Sequence, residues 1–394
     1  MLFSIAGVNG LMPPKKSYTV SATGNAKEAE EEDLLLHLPT SVEPSEVRSY
    51  ELEQVLRGHT KAVYQCDFEP TLGHWLATCS HDMSAVIWDI RNGKIFRTLK
   101  EHAGWVMFVR WTIDGNFLVT ASADKTIKVW GVHKTYIWQD FECLHTMTGH
   151  DGIITGLAVS PDTSVLLSCG KDKLIKVWDL KRATQTLLRK EGDASLMYTL
   201  KGAPENYDGH AHDIQRIEFS PTGKEFISAS ADASIKRWNT ETGELMLTYT
   251  GHTESVMAVC FRFDYVFFAS ASHDKTIKIW DTENGRCAVT LKGHTDIVYD
   301  VKFSGAVNQG RYLISCGHDS KIFVWDAKKS FDLVHYVGTH VGWILSIGLS
   351  PDNFRLASTG GDHRVNVWLA KTRSCGECCH ECCFDCNQAC GFIC

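Results

Sequence analysis

The side chains that could carry chemistry in this 394-residue chain recur at fixed spacings. A histidine is followed 22 to 25 residues later by an aspartate, and a serine or threonine stands four residues before each aspartate. Hydroxyl, imidazole and carboxylate are the groups of a hydrolytic triad, in which histidine activates a serine nucleophile. A tryptophan follows each aspartate by six residues and adds an indole N–H to the set.

The set occurs seven times, and this number decides between catalysis and structure. A catalytic triad is needed once, whereas a hydrogen-bonded network that supports the fold is needed in every repeat. A buried indole or imidazole without a partner costs about 1 to 3 kcal/mol, and a closed network satisfies every member. We therefore predict a structural network and no catalytic residue in the chain. Its members are His59, His102, His150, His210, His252, His294 and His340, with Asp82, Asp124, Asp172, Asp232, Asp274, Asp319 and Asp362, with Trp88, Trp130, Trp178, Trp238, Trp280, Trp325 and Trp368, and with Thr78, Thr120, Ser168, Ser228, Ser270, Ser315 and Ser358.

The segments between these anchors predict strands. Apolar and β-branched residues alternate or run for four to six positions, bounded by Gly, Asp, Asn and Pro. This pattern is typical of short antiparallel strands, four in each repeat.

The stretch GHTESVMAVCFRFDYVFFASASHDKTIKIWD, residues 251–281, and its six related copies resemble the WD-repeat family. The resemblance covers roughly residues 49–370 and implies an all-β fold, a seven-bladed β-propeller of four-stranded blades around a central channel. It also implies a hydrogen-bond chain from Trp to Ser or Thr, to His, and to Asp. Three copies depart from the pattern. Glu101 and Thr339 stand in place of the Gly before His, and Gly131, Asn239 and Leu369 stand in place of the Asp after Trp.

One strand is displaced in the sequence order. The segment SYELEQVLRGH has the form of the outermost strand that precedes each later repeat, while no such strand follows Trp368. We predict that residues 50–57 pair with the last three strands and close the ring, which removes the exposed edges of an open sheet. The domain plan is then a flexible acidic N-terminal arm (residues 1–48), the propeller (49–370) and a cysteine-rich tail (371–394).

The resemblance also implies a partner surface around the channel opening. It is built by residues three and five after each repeat histidine and by the residue before each repeat aspartate. Aromatic residues and Met beside a basic residue at these positions are typical of interface hot spots, although some could instead pack between blades. The candidate residues are Tyr64, Trp105, Met107, Lys171, Met257, Tyr299 and Trp343.

Two further features leave alternatives open. In WD-repeat proteins that act as substrate receptors of cullin-RING ubiquitin ligases, a WDxR box contacts the ligase adaptor, and Arg91 completes such a box in WDIR.

In the long segment between Trp178 and His210, the outer strand of the repeat falls either at residues 184–188 or at residues 196–200. The rim on which the insertion within residues 182–208 lies stays undecided.

The cysteine-rich tail has three interpretations. On a helix its thiols project onto one face, and they could bind zinc, carry fatty acyl chains, or pack against a partner. Membrane contact is expected only if the tail is acylated, and zinc is the sole candidate cofactor. The candidate ligands are Cys375, Cys378, Cys379, Cys382, Cys383 and Cys386. The other seven cysteines stand among apolar residues and are expected in the core: Cys66, Cys79, Cys143, Cys169, Cys260, Cys287 and Cys316.

Composition narrows the function classes. The net charge of −7 is spread along the chain without a basic block, which argues against nucleic acid as a partner. No secretory signal or long apolar run is recognisable, so a cytoplasmic protein is expected. We predict a non-enzymatic scaffold, a monomeric propeller that holds other proteins in a multisubunit assembly. The family resemblance offers cytoskeletal and ciliary assemblies, vesicle coats, chromatin complexes and ubiquitin ligases as settings, and the sequence does not choose among them. A substrate receptor of a cullin-RING ligase is the alternative function.

Overall fold

The computed structural model describes residues 47–134, 139–184, 195–200, 209–337 and 340–372. In these ranges the chain forms seven antiparallel sheets of four strands. The innermost strand of each sheet contacts the innermost strand of the next, and the innermost strand of the last sheet contacts that of the first. The predicted seven-bladed β-propeller is therefore confirmed. Residues 1–46 of the arm and residues 373–394, including the candidate zinc ligands, lie outside the described ranges.

Blades 1 to 6 each take four consecutive strands, and blade 7 takes the last three described strands together with the first described one. The strands of blades 1 to 3 are β2 (Val63–Phe68), β3 (Trp75–Ser80), β4 (Ala85–Asp89), β5 (Lys94–Leu99), β6 (Val106–Trp111), β7 (Phe117–Ser122), β8 (Ile127–Lys134), β9 (Gln139–Met147), β10 (Ile154–Val159), β11 (Val165–Gly170), β12 (Ile175–Asp179) and β13 (Leu196–Leu200). Those of blades 4 and 5 are β14 (Ile214–Phe219), β15 (Glu225–Ser230), β16 (Ile235–Asn239), β17 (Leu245–Tyr249), β18 (Val256–Phe261), β19 (Phe267–Ser272), β20 (Thr276–Asp281) and β21 (Cys287–Lys292). Those of blades 6 and 7 are β22 (Val298–Phe303), β23 (Tyr312–Gly317), β24 (Ile322–Asp326), β25 (Asp332–Val337), β26 (Ile344–Leu349), β27 (Arg355–Gly360), β28 (Arg364–Thr372) and β1 (Val47–Arg57).

The ring is closed by β1, the first of the described strands, as predicted. β1 pairs with β28 in an antiparallel register in which Arg57 lies opposite Arg364 and Val47 opposite Thr372. The Gln54 side chain then reaches out of blade 7 and donates to the Ile90 carbonyl of blade 1 at 2.7 Å. Backbone pairing within blade 7 and a side-chain bond to blade 1 thus join the two ends of the ring.

Blade 3 resolves the alternative outer strands in favour of Leu196–Leu200, which pairs with β12. In the alternative segment, Thr184 belongs to the short helix α1 (Leu180–Thr184), which follows β12 and buries Leu180 and Ala183, and residues 185–188 lie outside the described residues. The chain leaves the described part of blade 3 once after α1 and once after Leu200. The parts of the insertion at residues 185–194 and 201–208 lie outside the described residues, so its rim stays undecided.

The core is divided into apolar clusters, each of which lies between two neighbouring blades. In the cluster between blades 7 and 1, Leu56 from β1 packs with Trp88, Ile90 and Val367. Five of the seven cysteines expected in the core are buried, and Cys143 is half-buried. Cys287 is exposed, which corrects the expectation for that residue, because β21 is the outermost strand of blade 5 and Cys287 stands at its beginning.

The recurring Trp, hydroxyl, His and Asp side chains form one hydrogen-bond chain in every blade. Across the seven blades, the Trp indole N–H lies 2.8 to 3.0 Å from the Ser or Thr oxygen. That oxygen lies 2.7 to 2.9 Å from His Nε2. His Nδ1 lies 2.6 to 2.9 Å from an Asp oxygen.

The direction of this chain follows from donor counting. An ionised aspartate can only accept, so Nδ1 of a neutral imidazole carries the proton that is donated to it. Nε2 of that imidazole is then an acceptor for the hydroxyl proton, and the hydroxyl oxygen accepts the indole N–H. The hydroxyl oxygen has no exposed surface in any blade, because Thr78, Thr120, Ser168, Ser228, Ser270, Ser315 and Ser358 are all fully buried. These sets therefore cannot present a serine nucleophile to a substrate.

Each aspartate also holds two backbone segments. In blade 5, Asp274 accepts the Thr253 N–H at 3.2 Å and the Thr276 N–H at 2.9 Å, in addition to the His252 bond. The intervening Lys275 has a left-handed backbone, with φ at 68°. The equivalent residue has positive φ in all seven blades, a conformation that L-residues other than Gly rarely adopt. The carboxylate thus stabilises a strained turn.

Burial by itself would raise the pKa of Asp274, but hydrogen bonds from His252 and Thr276 hold it well below its ordinary value. The other six aspartates have depressed pKa values with the same balance of causes.

We expect His252→Ala to lower the free energy of unfolding by about 1 to 3 kcal/mol, because Ser270 and Asp274 lose their shared buried partner. Urea unfolding followed by tryptophan fluorescence measures this change. The matched control is His212→Ala, since His212 is exposed on the same rim and takes no side-chain part in the network. Unfolding curves that are equal for the two variants would contradict a network that stabilises the blade.

The depressed pKa values of the seven repeat aspartates predict that acid lowers the stability of the propeller. A carboxyl whose folded pKa lies below its unfolded value contributes stability above the unfolded pKa and loses it as the pH falls. The melting temperature should therefore hold near neutral pH and fall steeply from about pH 5 downward, where unfolded Asp begins to bind protons. Asp274→Asn removes one of the seven groups, so its melting temperature should fall less steeply over the same pH range. Parallel pH curves for this variant and the wild type would contradict the assignment.

Ring closure can be tested on β1, which carries one buried and one exposed leucine. Leu56 is 2% exposed and Leu52 is 50% exposed. Leu56→Ala should cost about 2 to 5 kcal/mol of folding free energy, because it leaves a cavity between blades 7 and 1, whereas Leu52→Ala should change it by about 0.5 kcal/mol or less. Chemical denaturation measures both. A small cost for Leu56→Ala would mean that β1 contributes little to closure.

Candidate protein-binding site at the channel mouth

The channel mouth is built by an irregularity that recurs in the first strand of every blade. The pairing register shifts around the residue five positions after each repeat histidine. Such a bulge leaves one residue without a pairing partner and re-aims its side chain. The seven bulge residues all line one cavity: Tyr64, Met107, Thr155, Gln215, Met257, Tyr299 and Leu345.

The cavity has a volume of about 180 Å³ and opens on the rim that carries the repeat aspartates. Below the bulge residues, its deeper wall is formed by Gln65, Phe108 and Arg216, each of which follows a bulge residue in sequence. Above them, the rim contributes His81, Trp105, Ile153 and Lys171. The site is therefore a layered funnel with aromatic and thioether walls, a composition typical of surfaces that bind other proteins.

Two aromatic stacks stand at equivalent places on the rim. In the first, the His81 ring lies between Tyr64 and Trp105, with ring centroids 4.6 and 4.4 Å apart. In the second, His318 lies 4.1 Å from Trp343 and 5.7 Å from Tyr299. Burial and the nearby Lys61 ammonium lower the pKa of His81, so this stack is neutral at neutral pH.

The two tryptophans are exposed although they are held in place. Trp105 is 46% exposed and Trp343 is 54% exposed. The Trp105 carbonyl accepts the Ala123 N–H at 2.8 Å, and the Trp343 carbonyl accepts the Gly361 N–H at 2.9 Å. A large aromatic side chain that is fixed before binding loses little entropy on binding, which is the property of an interface anchor.

The floor of the funnel is charged. Arg216 of blade 4 crosses the channel, with its guanidinium 4.8 Å from the Phe108 ring centre in blade 2 and 3.5 Å from the Asp300 carboxylate in blade 6. Asp300 is fixed from blade 7, because its other oxygen accepts the Ser346 hydroxyl at 2.7 Å.

A second charged layer lies two residues further along the same strands. Arg110 pairs with Asp67 at 3.6 Å and with Glu218 at 3.9 Å, and Lys302 lies 3.6 Å from Glu218. Burial raises the pKa of Asp67, although Arg110 and the Trp111 N–H act in the opposite direction. These charges connect blades across the channel.

The structure brings six of the seven mouth residues expected from the sequence into this cavity. Trp343 is the exception and stands on the rim against His318. Sequence reasoning missed Thr155, Gln215 and Leu345, although they have the same spacing from the repeat histidine as Tyr64. It also missed Phe108 and Arg216, which lie one residue further on.

Arg91 does not belong to the mouth. It lies in the turn between β4 and β5, and its Nε and Nη2 donate to the two Asp89 carboxylate oxygens at 2.9 Å each. The side-chain hydrogen bonds to Asp89 raise the pKa of Arg91.

The described residues contain no group of three or more His, Cys, Asp or Glu side chains arranged to hold a metal ion. Nor does a helix within them have the length and apolar character needed to span a membrane.

Several fungal proteins are similar to parts of this chain. The nuclear distribution protein PAC1 of Arthroderma otae is 39% identical over 121 residues, which cover 28% of this chain and 25% of that protein. PAC1 of Ajellomyces capsulatus is 30% identical over 235 residues, covering 48% of this chain and 51% of the relative. PAC1-2 of Uncinocarpus reesii is 31% identical over 202 residues, covering 49% and 43%. The chain thus spans about a quarter to a half of the length of these curated relatives.

The family model described as WD domain, G-beta repeat matches seven times. Each match corresponds to one repeat of the network residues. The matched residues are 50–89, 93–131, 141–179, 203–239, 243–281, 285–326 and 331–368. With this coverage and the seven-bladed fold, the chain belongs to the WD-repeat family.

Proposed function

We propose that the protein is a non-enzymatic scaffold that holds partner proteins in a multisubunit assembly and binds one of them at the channel mouth. The observation that carries this proposal is the pair of exposed tryptophans, Trp105 and Trp343, each held against a histidine. Large apolar side chains that are ordered although exposed are typical of an interface hot spot and not of a rim that contacts only solvent. Met107, Met257, Tyr299 and Lys171 add adaptable apolar contacts and one positive charge to the same face.

A scaffold needs a second contact surface, and the opposite rim offers one. The turns between the first two strands of blades 5, 6, 7, 1 and 2 expose large apolar side chains, which are Phe263, Val307, Phe354, Leu72 and Ile113. Leu72 and Val307 are exposed by 71% and 66%. These blades are consecutive in the ring, so the residues form an arc and are not scattered singly over the surface.

The names of the relatives favour a setting. They are called nuclear distribution proteins, and we propose an assembly of that kind, cytoskeletal in nature, in the cytoplasm. A ciliary assembly is a variant of the same proposal. Each propeller acts as a monomer in this proposal, because its ring is closed within a single chain.

The ligase alternative finds no support at Arg91. A guanidinium that is bidentate to Asp89 within its own turn has to give up a charge-assisted pair before it can bind an adaptor. The exposed tryptophans, by contrast, need no rearrangement. The scaffold interpretation is therefore preferred.

We expect the double substitution Trp105→Ala and Trp343→Ala to weaken partner capture by more than about tenfold, since each anchor can contribute about 2 kcal/mol or more. Quantitative affinity purification from native cells, with the full chain as bait, measures the loss.

The control is Tyr336→Ala, which removes an aromatic residue that is 62% exposed on the outer strand of blade 6. The melting temperature of the double variant should stay close to that of the wild type, because both rings are about half exposed. A partner list that is the same for all three proteins would refute the mouth as the binding face.

A further inference from the structure

The cavity at the channel mouth has a cation at its floor with one hydrogen-bond donor left over. Arg216 is 7% exposed, and its Nη2 lies near Asp300. Its Nε–H has no hydrogen-bond partner among the described residues. A buried donor without a partner is costly, and the cost is recovered when an acceptor arrives. Arg216 is also among the residues that line the cavity.

The charges that face the cavity are of one sign. Its lining includes two cationic side chains, Arg216 and Lys171, and no carboxylate. Asp300 lies beyond the guanidinium, and its Oδ2 already accepts the Ser346 hydroxyl and the Ile347 N–H, at 2.7 and 3.2 Å. His81 is a neutral neighbour, because its pKa is lowered.

The same geometry excludes a positive ligand. An inserted lysine or arginine would seek an aromatic face and a carboxylate, and the floor offers both in Phe108 and Asp300. Arg216 already occupies this position, 4.8 Å from the Phe108 ring centre and 3.5 Å from Asp300. A second cation would meet like charge in a site of low dielectric constant.

We propose that the cavity receives the side chain of a glutamate from an extended segment of a partner protein, and that the glutamate carboxylate accepts hydrogen bonds from Arg216 Nε and Lys171 Nζ. The proposal rests on the proposed function, because it names the partner chemistry for the same face. A carboxylate bound to a guanidinium forms the strong, short hydrogen bonds of a charge-assisted pair.

The surroundings favour a glutamate inside a peptide segment over an aspartate and over a chain terminus. Arg216 lies one residue deeper than the bulge layer, so the longer of the two acidic side chains reaches it more easily. Trp105 and Trp343 flank blade 1 on two sides, which lets apolar residues before and after the glutamate rest on them. A chain terminus would use only one of these tryptophans.

The test is a selection from a phage-displayed library of random peptides on the immobilised full chain. We expect enrichment of peptides in which a glutamate is flanked by apolar or aromatic residues. Replacing that glutamate by glutamine in a synthetic copy of the enriched peptide should weaken binding by about tenfold or more, as measured by fluorescence polarisation.

Variants of the protein locate the site. Lys171→Gln should weaken binding of the enriched peptide, whereas the control Lys173→Gln should not, since Lys173 is exposed on the same turn but does not line the cavity. Arg216→Gln should abolish the preference for glutamate over glutamine. If this variant does not fold, the Lys171 comparison and the substituted peptide still decide the outcome.

Enrichment of lysine, arginine or uncharged peptides, no enrichment at all, a requirement for a free C-terminal carboxylate, or equal binding by both lysine variants would each overturn the inference. Partner capture that depends on Trp105 and Trp343 but shows no glutamate preference would leave the scaffold proposal standing and remove only the partner chemistry. Loss of both results would remove both.

Discussion

The rest of the propeller depends on one carboxylate in each blade. Asp274 and its six counterparts accept a histidine N–H and two backbone N–H groups from different segments. The carboxylate therefore joins the loop that enters the blade to the turn between its second and third strands. It also stabilises a turn residue with positive φ, a conformation that costs about 1 to 3 kcal/mol for residues other than Gly. The tryptophan at the other end of each hydrogen-bond chain packs in the apolar layer between blades, and the same bonds fix its indole ring.

Because this network is the same in every blade, the chemistry that distinguishes the protein must lie where the blades differ. The positions six and eight after each repeat histidine hold a different residue in each blade, and position five holds five residue types among the seven blades. Position six holds Phe108, Arg216 and Asp300 in blades 2, 4 and 6, and these three side chains meet in the channel. A repeated scaffold thus places unlike side chains together, which a single blade could not do.

The sequence was sufficient to predict features that depend on local spacing. The distances from His to Asp and from Asp to Trp predicted the seven blades, and the missing last strand predicted the role of β1. Spacing could not decide between residues 184–188 and Leu196–Leu200 in blade 3, because both segments read as a strand. Tertiary packing decides, since α1 follows β12 directly and buries Leu180 and Ala183. The contact between Arg216 and Asp300 also could not be predicted from the sequence, because it depends on the width of the closed channel.

The pairing of β1 with β28 has a consequence for synthesis of the protein on the ribosome. β1 is the first strand of the propeller to be translated, and β28 is the last. At a synthesis rate of about 5 to 20 residues per second, the edge of β1 stays unpaired for tens of seconds before β28 has been translated. During this interval Leu56 and the other apolar residues of blades 7 and 1 cannot bury their shared surface. The nascent chain therefore presents an unpaired strand for the time in which the first six blades are made, and it is in this interval that a chaperone would have the most to protect.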